Sequence, residues 1–225
     1  MKKKYLWIEF AIVLIFLIIP PLTVLRMNQA ISNFTISPAL FVELLIAVLL
    51  DIQMHFMNQT ESRENTARSP IFIKLSWGAI TFGCLILIFT LFEVLAYFFP
   101  TVIKNNVESV IPNSALQWIS CVVILSIGAY YEESLYRQFI PNMACLLLES
   151  KVTKPRTGKY VRAGIEISTV LLFAFAHRYL GVVGILNALL CGTILRLCTI
   201  KTGSIYTSTT IHFLYNICMF LLLLF

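Results

Sequence analysis

Charge is scarce in this chain. Of its 225 residues, 12% are Asp, Glu, Lys or Arg, against about a quarter in soluble globular proteins. With apolar runs of about 20 residues, that deficit excludes a soluble domain and predicts an integral membrane protein. Metal and disulfide frameworks are missing too. The chain has no C-x-x-C and no H-E-x-x-H, and its six cysteines (Cys84, Cys121, Cys145, Cys191, Cys198, Cys218) all lie in apolar stretches. They read as small hydrophobes, not as bridges or thiolate ligands. No internal repeat and no low-complexity linker divides the sequence, so residues 1–225 read as a single integral membrane domain. The start, MKKKYLWIEFAIVLIFLIIPP, has the charge layout of a signal sequence. It lacks a small-residue cleavage site and is read as a retained first helix.

What is present is a series of apolar segments. Seven are marked by the span criterion, at about 5–25, 39–57, 71–99, 116–148, 164–180, 182–199 and 203–225. The expected fold is an all-α, polytopic membrane bundle of about seven transmembrane helices. The second segment contains Glu43 and Asp51 and is the weakest of them. The net charge of +6 does not point to nucleic acid, because the basic residues sit between apolar segments, where they specify topology. With the N-terminus in the cytoplasm, 13 Lys and Arg fall at cytoplasmic ends: Lys2, Lys3, Lys4, Arg63, Arg68, Lys74, Lys151, Lys154, Arg156, Lys159, Arg162, Arg196 and Lys201. Three (Arg26, Lys104, Arg178) fall on the other side, and Arg137 is intramembrane. This predicts a multi-pass cell-membrane protein with its C-terminus outside. The loop ESKVTKPRTGKYVRA, 149–163, is the strongest cytoplasmic marker and the expected contact with anionic headgroups.

The fourth segment is too long for one membrane crossing. Residues 116–148 would run about 50 Å as a helix, against a hydrocarbon core of about 30 Å. It is expected either to tilt or to break near Pro141.

Just before that proline stand two adjacent acids, Glu132 and Glu133. An acid at a helix centre costs roughly 2.5–3.5 kcal/mol on insertion scales, and its default reading is a functional site with a partner. Arg137, four residues on, shares a face with Glu133 and is expected to meet it, in a pair that can be bidentate. Glu132 is rotated about 100° away and faces a different partner. Two more helices carry polar groups at the same spacing: Phe173 with His177, and His212 with Asn216. His55, near a polar loop, reads as interfacial. Taken singly, each of these items is better read as a packing or interhelical hydrogen-bond residue. Together they supply a general base, a polarising histidine and oxyanion donors, which are the parts of a hydrolytic site.

The strings EESLYR (132–137), FAFAH (173–177) and HFLYN (212–216), in this order and in separate apolar helices, resemble the signature of the CPBP family. These are the CAAX proteases and bacteriocin-processing enzymes, also called Abi proteins. The resemblance covers about 116–222, a family-like catalytic core in helices four to seven. It implies an intramembrane endopeptidase in which Glu132 and His177 activate a water, while His212 and Asn216 stabilise the oxyanion. Glu133 and Arg137 are then a positioning pair. It implies a peptide or protein substrate, with a bacteriocin or its precursor among the candidates, since small members confer self-immunity. No cofactor is expected. The alternative is a two-His, one-carboxylate zinc set of Glu132, His177 and His212. Two other classes compete: a non-catalytic bacteriocin-immunity binder, and a proton-coupled transporter, which would show the inverted repeats that this chain lacks.

Overall fold

A computed structural model describes residues 3–23, 34–61, 70–99 and 111–222. All regular structure among them is helical. The elements are α1 (Lys3–Thr23), α2 (Pro38–Glu61), α3 (Ile71–Phe98), α4 (Ala115–Leu147), the short α5 (Glu149–Val152), α6 (Gly158–Ala176), a 3-10 turn (Arg178–Leu180), α7 (Gly181–Thr202) and α8 (Ile205–Leu222). Six described helices are long and apolar enough to cross a bilayer: α1, α2, α3, α4, α7 with its preceding turn, and α8. Large apolar side chains such as Phe16, Phe72, Leu87, Leu116 and Val182 face outward. A helical bundle whose exterior is this apolar has lipid as its solvent. The chain is a multi-pass membrane protein.

The seventh expected span is α6. It begins at Gly158, not at 164, and its first half carries Lys159, Arg162 and Glu166. Those charges keep it below the composition of the other six. It is nevertheless packed in the bundle, against α7 and α4.

The ends of the bundle follow from contacts. Trp118 near the start of α4 meets Phe220 near the end of α8, with ring centroids 6.0 Å apart. Arg178 Nη2 donates to the Thr23 carbonyl of α1 at 3.0 Å. These mark one end. At the other, Lys201 of α7 lies 5.6 Å from the Trp77 ring of α3. Because the helices alternate, this second end also holds Lys3, Lys4, Lys74, the loop after α5 and the turn into α8. The basic residues therefore gather at one end of the bundle. Lys2, Arg26, Arg63, Arg68 and Lys104 lie outside the described residues. Arg196 does not belong with the loop residues: it is largely buried and faces inward.

Local sequence sets the boundaries of these helices. Ser114 accepts from the Gln117 amide at 3.3 Å, and Gln117 Oε1 accepts from the Asn113 amide at 2.7 Å, a reciprocal cap that starts α4. Gly203, at φ 62°, takes the left-handed position that ends α7 and turns the chain directly into α8. At Gly158 the backbone passes so close that a Cβ would sit 2.0 Å from the Val152 carbonyl oxygen. The α5–α6 loop is thus a compact turn.

The core centres on the middle of α4. Leu135, Tyr136, Phe139, Ile140 and Met143 pack with Leu50 and Met54 of α2, Ile18 of α1 and Phe173 of α6. Asp51 ties α2 into place. Its carboxylate accepts from Tyr130 at 3.0 Å, Gln138 at 3.0 Å and Tyr206 at 2.6 Å, joining α2 to α4 and α8. The acid that weakens this segment as an isolated span is what fastens it in the folded bundle. Charge-assisted hydrogen bonds contribute about 1.5–3 kcal/mol each at most, and less for partly exposed partners. Asp51→Ala should therefore destabilise the purified protein by about 2–3 kcal/mol, read as a fall in its thermal midpoint in detergent. Asp51→Asn should recover most of the loss, and equal midpoints for Ala and wild type would remove Asp51 from the set of tertiary anchors.

Candidate active site

The six polar residues of the three sequence motifs come from α4, from the end of α6 and from α8. Glu133 is fully buried, whereas its neighbour Glu132 is 29% exposed. From residue 133 to 139 the helix opens into a π turn. Such turns widen the backbone and are frequent at functional sites. The helix then continues without a break through Pro141 to Leu147. Of the two alternatives for this long segment, a tilt or a break near Pro141, the break does not occur.

Pro141 has no N–H to give the Arg137 carbonyl four residues back. Arg196 of α7 supplies the missing donor, with Nη1 at 2.6 Å from that oxygen. The same guanidinium grips Glu166 of α6 as a fork, Nε to Oε2 at 2.5 Å and Nη2 to Oε1 at 2.6 Å. One arginine thus clamps α6 and α7 to the carbonyl that the proline leaves free. Spacing reveals neither partner, because the contacts span 30 and 59 residues.

Glu133 and Arg137 meet as expected, through one contact and not as a bidentate pair: Arg137 Nε stands 3.4 Å from Glu133 Oε1. The guanidinium carbon also lies over the Phe173 ring, 3.7 Å from its centroid, a cation–π contact. Gly192 of α7 permits this. A Cβ there would stand 2.7 Å from Phe173 Cδ1 and 3.5 Å from Arg137 Nη2. The second partner of Glu133 comes from α8: His212 Nδ1 is 3.0 Å from the same Oε1.

Both imidazoles are oriented by their Nδ1 atoms. His177 Nδ1 lies 2.9 Å from the Phe173 carbonyl, which can only accept, so this nitrogen carries the proton. The His177 ring packs on Phe173, centroids 4.6 Å apart. His212 Nδ1 faces the Glu133 carboxylate in the same way. Each ring then presents Nε2 to Glu132, His177 at 3.9 Å from Oε1 and His212 at 3.8 Å from Oε2. Residues from three helical segments thus meet at Glu132.

His177, His212 and Asn216 line one cavity of about 380 Å³, walled by Leu125, Leu180 and Phe220 toward the Trp118 end. A larger cavity, about 740 Å³, is a different one. It is lined by Asp51, His55, Lys74, Asn142, Arg196 and Tyr206 toward the basic end. Among the described residues no group of three or more His, Cys, Asp or Glu side chains is arranged to hold a metal ion. The six cysteines are free thiols.

The clamp has a measurable signature. Arg196→Ala and Glu166→Ala should each lower stability by about 2–3 kcal/mol, and the double variant should lose little more than either. The coupling energy from a double-mutant cycle is expected at about 1.5–3 kcal/mol. Additive losses would mean that the two residues act independently.

Comparison with known proteins agrees with this geometry. Residues 113–218 match the family model described as type II CAAX prenyl endopeptidase Rce1-like. No curated protein and no solved structure matches the chain. The match takes in all three motifs and the helices that carry them, and it supports an intramembrane endopeptidase. Residues 113–218 are thus similar to the Rce1-like CAAX protease family.

Proposed function

We propose that this chain hydrolyses a peptide bond within the bilayer by a glutamate-activated water, without a metal, and that its substrate is a bacteriocin or its precursor. One observation carries the mechanism: two imidazole Nε2 atoms, on two other helices, flank the two oxygens of Glu132 at 3.9 and 3.8 Å. Those gaps are too long for direct hydrogen bonds and suit one bridging water.

In this reading Glu132 takes a proton as the water oxygen attacks the peptide carbonyl, with His177 Nε2 orienting the water. The developing oxyanion is held by the Asn216 amide and, when His212 carries both protons, by its Nε2–H. Collapse breaks the C–N bond, and Glu132 returns its proton to the leaving amine. Glu133 fixes the His212 ring, and Arg137 and Phe173 fix Glu133 and His177, so these three are positioning residues. The apolar cavity would hold the peptide. We place the N-terminus in the cytoplasm of the cell membrane, on the positive-inside rule. A zinc held by Glu132, His177 and His212 is the competing chemistry. His212 has the acceptor behind its Nδ1 that metal-binding histidines usually have.

The test uses purified protein in lipid nanodiscs with the bacteriocin against which its expression protects. Glu132→Gln and His177→Ala should cut cleavage by roughly 10²–10⁴-fold, and Asn216→Ala by roughly 10²–10³-fold, with inserted protein unchanged. Full cleavage by Glu132→Gln overturns the mechanism. Protection that survives in that variant identifies a non-catalytic immunity binder instead. One zinc per chain, with activity lost on chelation, replaces the metal-free reading.

A further inference from the structure

A second groove lies on the outside of the bundle, remote from the histidines. It holds about 320 Å³ between α1, α4 and α6, and its walls include Phe10 and Leu14, Ala144 and Leu148, and Gly164 and Ser168. Its floor is open because α6 has no side chain at Gly164: a Cβ there would meet nothing within 4 Å. The groove runs from Leu148 and Val161, at the basic end, along α6 to Leu172. Next to Leu148 and Val161 in the chain come Lys151, Lys154, Arg156, Lys159 and Arg162, all exposed, with Lys3 and Lys4 at the start of α1. Glu149 is the one acid in this loop. Gly158 keeps the loop compact, so these charges stay close to that end of the groove. Tyr160, 68% exposed and with Lys159 5.0 Å from its ring, sits where an aromatic anchors at the headgroup level.

We propose that this groove is a binding site for one anionic phospholipid, an acyl chain lying along α6 and the phosphate under the loop of residues 151–162. Charge complementarity selects the occupant. A neutral phospholipid would fill the same apolar trough but gain nothing from five cations at its mouth. A second copy of this chain would bring its own basic loop against them. Basic residues beside the membrane attract anionic headgroups, and the groove converts that diffuse attraction into a site with a defined chain position.

The full-length protein in neutral detergent is heated with added dioleoyl phosphatidylglycerol or dioleoyl phosphatidylcholine. Phosphatidylglycerol at tenfold over its dissociation constant should raise the thermal midpoint by about 4 °C, and phosphatidylcholine by much less. Gly164→Leu fills the trough with no clash at its Cβ, and Ser168→Leu does so one turn further along. Each should keep its own midpoint and lose the phosphatidylglycerol shift. The triple variant Lys151→Gln, Lys154→Gln, Lys159→Gln should lose it too. The proposal fails if phosphatidylcholine matches phosphatidylglycerol, or if the shift survives in both groove-filling variants. It also fails if Gly164→Leu turns a dimer into a monomer on size exclusion, since the groove would then seat a second copy.

Discussion

A carboxylate buried completely in a membrane bundle has to be answered by specific partners, and at Glu133 those partners organise four helices. Leaving it unpaired would cost more than any single packing contact returns. Its one well-placed oxygen meets Arg137 on its own helix and His212 on α8. Arg137 in turn needs a surface for its guanidinium. It finds the Phe173 face of α6, and the absence of a side chain at Gly192 lets α7 approach that stack. The position of His177 then follows, because its ring packs on Phe173 and its Nδ1 bonds the Phe173 carbonyl. The convergence on Glu132 is thus a consequence of how Glu133 is neutralised.

The backbone imposes a second constraint at the same place. Pro141 removes a donor about two turns beyond the glutamates, inside a membrane-spanning helix where the freed carbonyl needs a partner. A kink would be the inexpensive response in a lone helix. Here the helix opens into a π turn and borrows a donor from Arg196, which Glu166 holds in place. Burying that arginine is acceptable because both faces of its charge are satisfied, by a carboxylate fork and by a carbonyl. The result is a wide helical turn held rigid from the side. A pair of adjacent glutamates can then differ in environment without the helix being broken.

This division explains what the sequence disclosed and what it could not. The pairings at four-residue spacing, Glu133 with Arg137 and Phe173 with His177, are legible because one helix presents both partners on one face. So was the all-helical, membrane-spanning character, since it rests on composition and run length. Asp51 read as a defect in the second span, because its three donors lie 79 to 155 residues away. Arg196 was counted with the cytoplasmic loop residues for the same reason: its partners, Glu166 and a backbone carbonyl, belong to other helices. Glu133 and Arg137 do meet, as their spacing predicts, but through one contact, because Phe173, distant in sequence, also offers the guanidinium a face.

The two glutamates show how far residue type alone can carry an assignment. They are adjacent, on one helix and in one low-dielectric setting, yet Glu133 is closed off while Glu132 keeps more than a quarter of its surface open. A fully enclosed carboxylate with two fixed partners cannot reach a substrate, and it is suited to holding an imidazole. A partly open one, flanked by two Nε2 atoms at just over hydrogen-bond distance, keeps oxygens that a water can reach. Exchanging the two residues' environments would therefore exchange their roles. What commits Glu132 to the proposed chemistry is the set of contacts that Glu133 makes behind it, because these fix the ring that faces Glu132 and leave its own oxygens free.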